Sequence, residues 1–143
     1  MKEIKRNIKA LIVDDSKLVC DRLISMISDI PGIEIVGRAL NAQKAIDSIQ
    51  KHNPGVVVLD IRMPGGNGFD VLEKVKKDKQ APLVIMLTNY PYPQYRKKCM
   101  DAGADFFFDK STEFHKVIDV LKQVVQENKS QKTKGTKSNT KRK

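Results

Sequence analysis

The chain has 143 residues, 40% hydrophobic and 31% charged, which is the size and balance of one globular domain with a sizeable core. Its net charge of +10 suggests a nucleic-acid binder until it is located: seven of the 27 basic residues lie in 129–143, a stretch without acids, so the first 128 residues carry 20 bases against 17 acids. The apolar runs around Val56 to Leu59 and Leu83 to Leu87 fall far short of the roughly 20 residues a membrane helix needs, and the polar start (Met1-Lys2-Glu3) has no apolar signal core, so the chain reads as cytoplasmic.

The first strand is expected at 10–13, followed by a helix over 17–30 with Leu23, Ile24 and Ile27 on one stripe and Pro31-Gly32 to stop it. A second strand follows at 33–39. Asn41 can cap the next helix, whose apolar positions include Ala45, Ile46 and Ile49, and Asn53-Pro54-Gly55 ends it. The third strand, 56–59, precedes a turn at Met63-Pro64-Gly65-Gly66 and a helix over 69–77. The fourth, 83–88, runs into Tyr90-Pro91-Tyr92-Pro93. These prolines remove backbone donors and should delay the fourth helix, expected over 95–102. The fifth strand, 106–108, leads to Ser111 or Thr112 as a helix cap and to a stripe of Phe114, Val117, Ile118, Leu121 and Val125. Residues 129–143 contain no hydrophobic side chain and are read as a disordered basic tail.

Five short, Val- and Ile-rich strands, each followed by a helix, predict an α/β fold: a (βα)5 doubly wound, five-stranded parallel sheet with helices on both faces. In such sheets the functional crevice lies beyond the carboxyl ends of the strands. Asp14 and Asp15 follow the first strand, Asp60 the third, Thr88 ends the fourth, and Asp109 and Lys110 follow the fifth. Clustered carboxylates suit Mg2+, which also relieves the repulsion among Asp14, Asp15 and Asp60. A carboxylate can attack phosphorus and form an aspartyl phosphate. Phosphoryl transfer chiefly needs in-line positioning and cations on the phosphoryl oxygens. Mg2+ and Lys110 are candidate cations, and the Thr88 hydroxyl is a candidate hydrogen-bond donor.

Taken in order, Val13-Asp14-Asp15-Ser16, Asp60-Ile61-Arg62-Met63-Pro64 with Gly68, Met86-Leu87-Thr88, Ala102-Gly103-Ala104 and Asp109-Lys110 resemble the receiver domain of bacterial two-component response regulators. The resemblance covers about residues 8 to 127, within a receiver domain placed at 1–128. It implies a flavodoxin-like fold with strand order 2-1-3-4-5. Ile30-Pro31-Gly32-Ile33-Glu34-Ile35-Val36-Gly37 looks most like the receivers that precede a LuxR-type helix-turn-helix domain, although no recognisable output domain follows within this chain. The resemblance implies phosphorylation of Asp60 by a sensor histidine kinase or histidine phosphotransfer protein. It implies Mg2+ on Asp15, Asp60 and the backbone carbonyl of Arg62, with Asp14 acting through water. It also implies phosphoryl contact by Lys110, a Thr88 that swings toward the phosphoryl group, a Phe107 that rotates into the space released, and a signalling face of helix four, strand five and helix five. Ser111 departs from the family's usual proline after the lysine.

Taken singly, these motifs are ordinary: Asp14-Asp15 makes a turn and cap, Thr88 a strand residue, Phe107 a core residue. His52 and His115 lack ligand spacing, and Cys20 and Cys99 read as free thiols. The chemistry is self-directed, acting only on phosphorylation and dephosphorylation of Asp60, so the chain is not expected to be an enzyme in the turnover sense. Two other classes compete with this reading. A DNA-binding regulator would use the tail or a domain outside the chain, with only salt-sensitive, sequence-blind affinity expected from the tail itself. A haloacid-dehalogenase-like phosphatase would need Asp-x-Asp after the first strand, where Asp14-Asp15-Ser16 stands.

Overall fold

The computed structural model describes residues 7–134, with side-chain surroundings through Lys129. The five sheet strands are β1 (Ile8–Val13), β2 (Ile33–Ala39), β3 (Val56–Leu59), β4 (Leu83–Thr88) and β5 (Phe106–Asp109). The helices are α1 (Lys17–Ser28), α2 (Ala42–His52), α3 (Gly68–Lys76), α4 (Pro93–Asp101) and α5 (Phe114–Lys134). All sheet pairings are parallel, in the order β2-β1-β3-β4-β5. A two-residue antiparallel ribbon, Arg62–Met63 against Gly66–Asn67, lies between β3 and α3.

The strands read as unbroken apolar runs because each serves two cores. Successive side chains point to opposite faces. Leu11, Val13, Val57, Leu59, Val84 and Met86 enter the core shared with α2, α3 and α4. Ala10, Ile12, Val56, Val58, Ile85 and Leu87 enter the core shared with α1 and α5. Each buried Val, Leu or Ile contributes about 1.5–3 kcal/mol. Among the described residues no helix is long and apolar enough to cross a membrane. Cys20 and Cys99 are free and buried, and burial pushes both thiols up to about 11.

Local signals set the helix starts. The side chains of Ser16, Asn41 and Asn67 accept from the backbone N–H groups of Val19, Lys44 and Asp70. Two expectations change here. The prolines do not delay α4, because Pro93 occupies its first turn, where the missing N–H would have no partner anyway. Neither Ser111 nor Thr112 immediately precedes α5; that place belongs to Glu113.

Residues 129–134, read from the sequence as the start of a disordered tail, continue α5 as helix. Extending an existing helix avoids the nucleation cost that a separate one would meet. The remainder of the expected tail, 135–143, lies outside the described residues.

Candidate functional site

The sheet register delivers the acidic groups together. Val13 pairs with Leu59 and Leu59 with Met86, so Asp14 and Asp60, each the next residue, leave the sheet side by side. The backbone pairing continues one step past the strands. Asp14 N–H donates to the Ala39 carbonyl at 3.0 Å and Asp60 N–H to the Val13 carbonyl at 2.9 Å. On the other side, Thr88 pairs with Asp109, and Lys110 N–H donates to the Thr88 carbonyl at 2.8 Å.

Lys110 Nζ reaches back across this edge. It donates to Asp14 Oδ2 at 2.7 Å and to Asp60 Oδ2 at 3.3 Å. All three side chains are nearly buried, with 8% of Lys110, 3% of Asp14 and 6% of Asp60 exposed. The remaining carboxylate oxygens are held by backbone donors, Asp14 Oδ1 by Ser16 N–H and Asp60 Oδ1 by Ile61 N–H. Burial pushes the Asp60 carboxyl up to about 6, although Lys110 pulls the other way. Burial disfavours the Lys110 ammonium, but its hydrogen bond to Asp14 and the charges of Asp60 and Asp14 outweigh that and raise its pKa.

Asp15 stands exposed at the rim. One carboxylate oxygen each from Asp14, Asp15 and Asp60 lies within 4.8 Å of the other two. Hard anionic oxygens at that spacing fit a hard divalent cation, and an apposition of three carboxylates gains from one.

The turn that shapes this edge depends on glycine. A Cβ on Gly68 would stand 2.0 Å from the Asp60 carbonyl oxygen, and Gly68 N–H donates to the Ile61 carbonyl at 2.6 Å. No other residue allows the ribbon to fold back so closely over the chain that follows Asp60. Gly65, at φ +76°, takes the turn position that a side chain would strain.

Residues 10–122 match the family model of the response regulator receiver domain. The chain belongs to that family. It is 36% identical over 105 residues to a protein-glutamate methylesterase/protein-glutamine glutaminase of Alkalilimnicola ehrlichii, covering 72% of this chain but 27% of that protein. The activities in that name are those of the longer protein. A LuxR-family DNA-binding response regulator of Staphylococcus aureus superposes with TM-score 0.76 at 26% identity, covering 82% of this chain and 98% of that one. A chain of the CheX–CheY complex with BeF3 and Mg2+ from Borrelia burgdorferi does so with TM-score 0.70 at 27% identity, covering 81% and 90%. The receiver fold, its strand order and the LuxR-type likeness expected from the sequence all agree with these findings. The chain is a phosphoryl-accepting receiver of the two-component type.

The remaining candidates occupy the surroundings of this receiver's acidic edge. Thr88 is fully buried, and its Oγ1 accepts from Tyr90 N–H at 2.9 Å. Phe107 is buried on the α4 side of the sheet, with the Arg96 guanidinium 4.7 Å from its ring centroid and Arg96 Nη1 donating to its carbonyl. The Lys110–Ser111 peptide is trans. Ser111 N–H and Oγ both donate to Asp109 Oδ1, which holds that carboxyl below its usual range.

Two features escaped the sequence reading. Glu113 reaches back to accept from Asp109 N–H, beside Lys110. The Arg62 side chain stacks on Tyr90, 4.1 Å from the ring centroid, and donates to the Tyr95 hydroxyl. The only sequence signal for the second was the Tyr-Pro-Tyr-Pro run, whose meaning depends on the partners brought to it.

Proposed function

We propose that Asp60 is the residue that accepts the phosphoryl group, from a phosphohistidine on a sensor kinase or histidine phosphotransfer protein. The observation that carries this reading is Lys110 Nζ lying between Asp14 Oδ2 and Asp60 Oδ2 at a nearly buried edge. An Asp60 oxygen attacks phosphorus, the P–N bond breaks, and the histidine leaves with its electron pair. Lys110 is then released from a carboxylate to a phosphoryl oxygen, so its charge follows the charge being transferred. Burial keeps competing water away and strengthens that interaction.

Asp15, Asp60 and the Arg62 carbonyl would hold Mg2+, with Asp14 reaching it through water. When bound, Mg2+ supplies a second cation for the phosphoryl oxygens. The Thr88 hydroxyl exchanges its Tyr90 N–H donor for a role as donor to the phosphoryl group. Phe107, already against α4, responds to that move, and the face of α4, β5 and α5 carries the change to a downstream protein.

Intact-mass analysis after treatment with a small-molecule acyl phosphate and Mg2+ tests the site. Wild type gains one phosphoryl group, and Asp60→Asn gains none. Stable labelling of the Asn variant overturns the assignment.

A further inference from the structure

Four aromatic rings form a continuous chain on the surface between α3 and α4. Phe69 meets Tyr95 edge-on at 5.4 Å, Tyr95 meets Tyr92 at 5.3 Å, and Tyr92 meets Tyr90 at 6.4 Å between centroids. The chain ends at the phosphorylation edge, where Tyr90 N–H donates to the buried Thr88 hydroxyl. A cation covers each end: Arg62 lies 4.1 Å over Tyr90 and Lys98 lies 4.3 Å over Phe69. Neither cation pairs with a carboxylate among the described residues, whereas neighbouring Lys97 is paired with Asp101.

This is poor economy for a surface that only faces water. Tyr92 remains 47% exposed although two neighbouring rings, Tyr90 and Tyr95, could have buried it. Tyrosine and arginine dominate binding hot spots, since they offer large contact area and fixed polar groups at low entropy cost. Pro91 and Pro93 fix the backbone on both sides of Tyr92, so little order remains to be lost on binding. A guanidinium stacked on a ring keeps its N–H groups in the plane, and those that Arg62 does not donate to the Tyr95 hydroxyl can meet a carboxylate.

We propose that the ridge of Phe69, Tyr95, Tyr92 and Tyr90, flanked by Arg62 and Lys98, is a docking surface for an acidic segment of a partner protein. It shares α4 with the face of α4, β5 and α5, since Tyr95 and Lys98 lie on that helix, but it reaches α3 through Phe69 and the β4–α4 loop through Tyr90 and Tyr92. Its coupling to phosphorylation rests on the reading of Thr88 given above: when the hydroxyl turns to the phosphoryl group, Tyr90 N–H loses its acceptor and that end of the ridge shifts. The unmodified ridge binds acidic segments whether or not that coupling operates.

The probe is a short peptide of alternating Glu and Leu, with a Lys-for-Glu peptide as control, titrated into the isotope-labelled full chain and followed by amide shifts. The shifts should cluster at Arg62, Phe69 and residues 90–98, and the control peptide should produce none of them. Lys98→Glu and Tyr92→Ala, at exposed positions outside the acidic edge, should each weaken binding about tenfold, equivalent to about 1.4 kcal/mol. Both variants should keep a native spectrum and normal phosphoryl labelling by mass. Shifts spread evenly over surface lysines such as Lys44, Lys51, Lys116 and Lys122 would overturn the proposal, as would shifts centred on β5 and α5. In chain shown by mass to be phosphorylated, the affinity should change; an unchanged value overturns the coupling. Failure of labelling itself would instead count against the Asp60 assignment.

Discussion

Val13 and Asp14 are neighbours in the chain, as are Leu59 and Asp60, yet the two halves of each pair obey opposite rules. Val13 and Leu59 sit in a dry layer where burial stabilises. Asp14 and Asp60 are also buried, and at Asp60 burial is a cost that Lys110 only partly offsets. The fold therefore spends stability at its carboxyl edge and recovers it one residue away. Two buried carboxylates facing one ammonium cannot be assembled without that cost.

The largest effect should come from removing the cation. Lys110→Ala leaves Asp14 and Asp60 facing each other, and should lower unfolding free energy by about 3–5 kcal/mol in urea titrations at neutral pH. A loss no greater than that of an exposed lysine would break the contrast. Leu59→Ala, one residue from Asp60, should cost about 2–5 kcal/mol by the opposite mechanism, an unfilled cavity. Its loss should persist at pH 4, where the Lys110→Ala loss shrinks as Asp60 protonates.

Asp60→Asn should move the other way. The folded carboxyl titrates near 6, above its unfolded value near 4, so its neutral form is favoured by the fold. Stability tied to that proton is complete below pH 4 and is lost as pH rises through 6. The variant has no such proton. Its stability relative to metal-free wild type should therefore improve by about 2–3 kcal/mol between pH 4 and pH 8. A gap independent of pH would show that Asp60 is not held in an unfavourable ionised state.

Mg2+ should relieve the same cost. At about a hundredfold excess over its Kd it should stabilise wild type by about 2.7 kcal/mol and Asp60→Asn by clearly less. Equal stabilisation would place the cation elsewhere. The smallest effect belongs to local structure outside the contrast: Ser16→Ala removes the cap of α1 and should cost about 1 kcal/mol.

The strands and most helix limits were legible in the residues, because apolar runs and caps such as Asn41 and Asn67 act over a few neighbours. The helix starts at Pro93 and Phe114 were not. The first depended on a proline being tolerated in the opening turn. The second depended on Glu113 bonding back to Asp109 rather than on a hydroxyl cap.

The convergence of Asp14, Asp15, Asp60, Thr88 and Lys110 also followed from the sequence. A βα repeat sends every strand's carboxyl end to one edge, so position along the chain becomes position in space. Side-chain pairing at that edge did not follow. That Lys110 reaches both Asp14 and Asp60, that Thr88 faces Tyr90 N–H, and that Arg62 covers Tyr90 while Lys98 covers Phe69 are long-range choices. They depend on register, on the approach that Gly68 permits and on which helices meet across the sheet, and only the tertiary structure decides those.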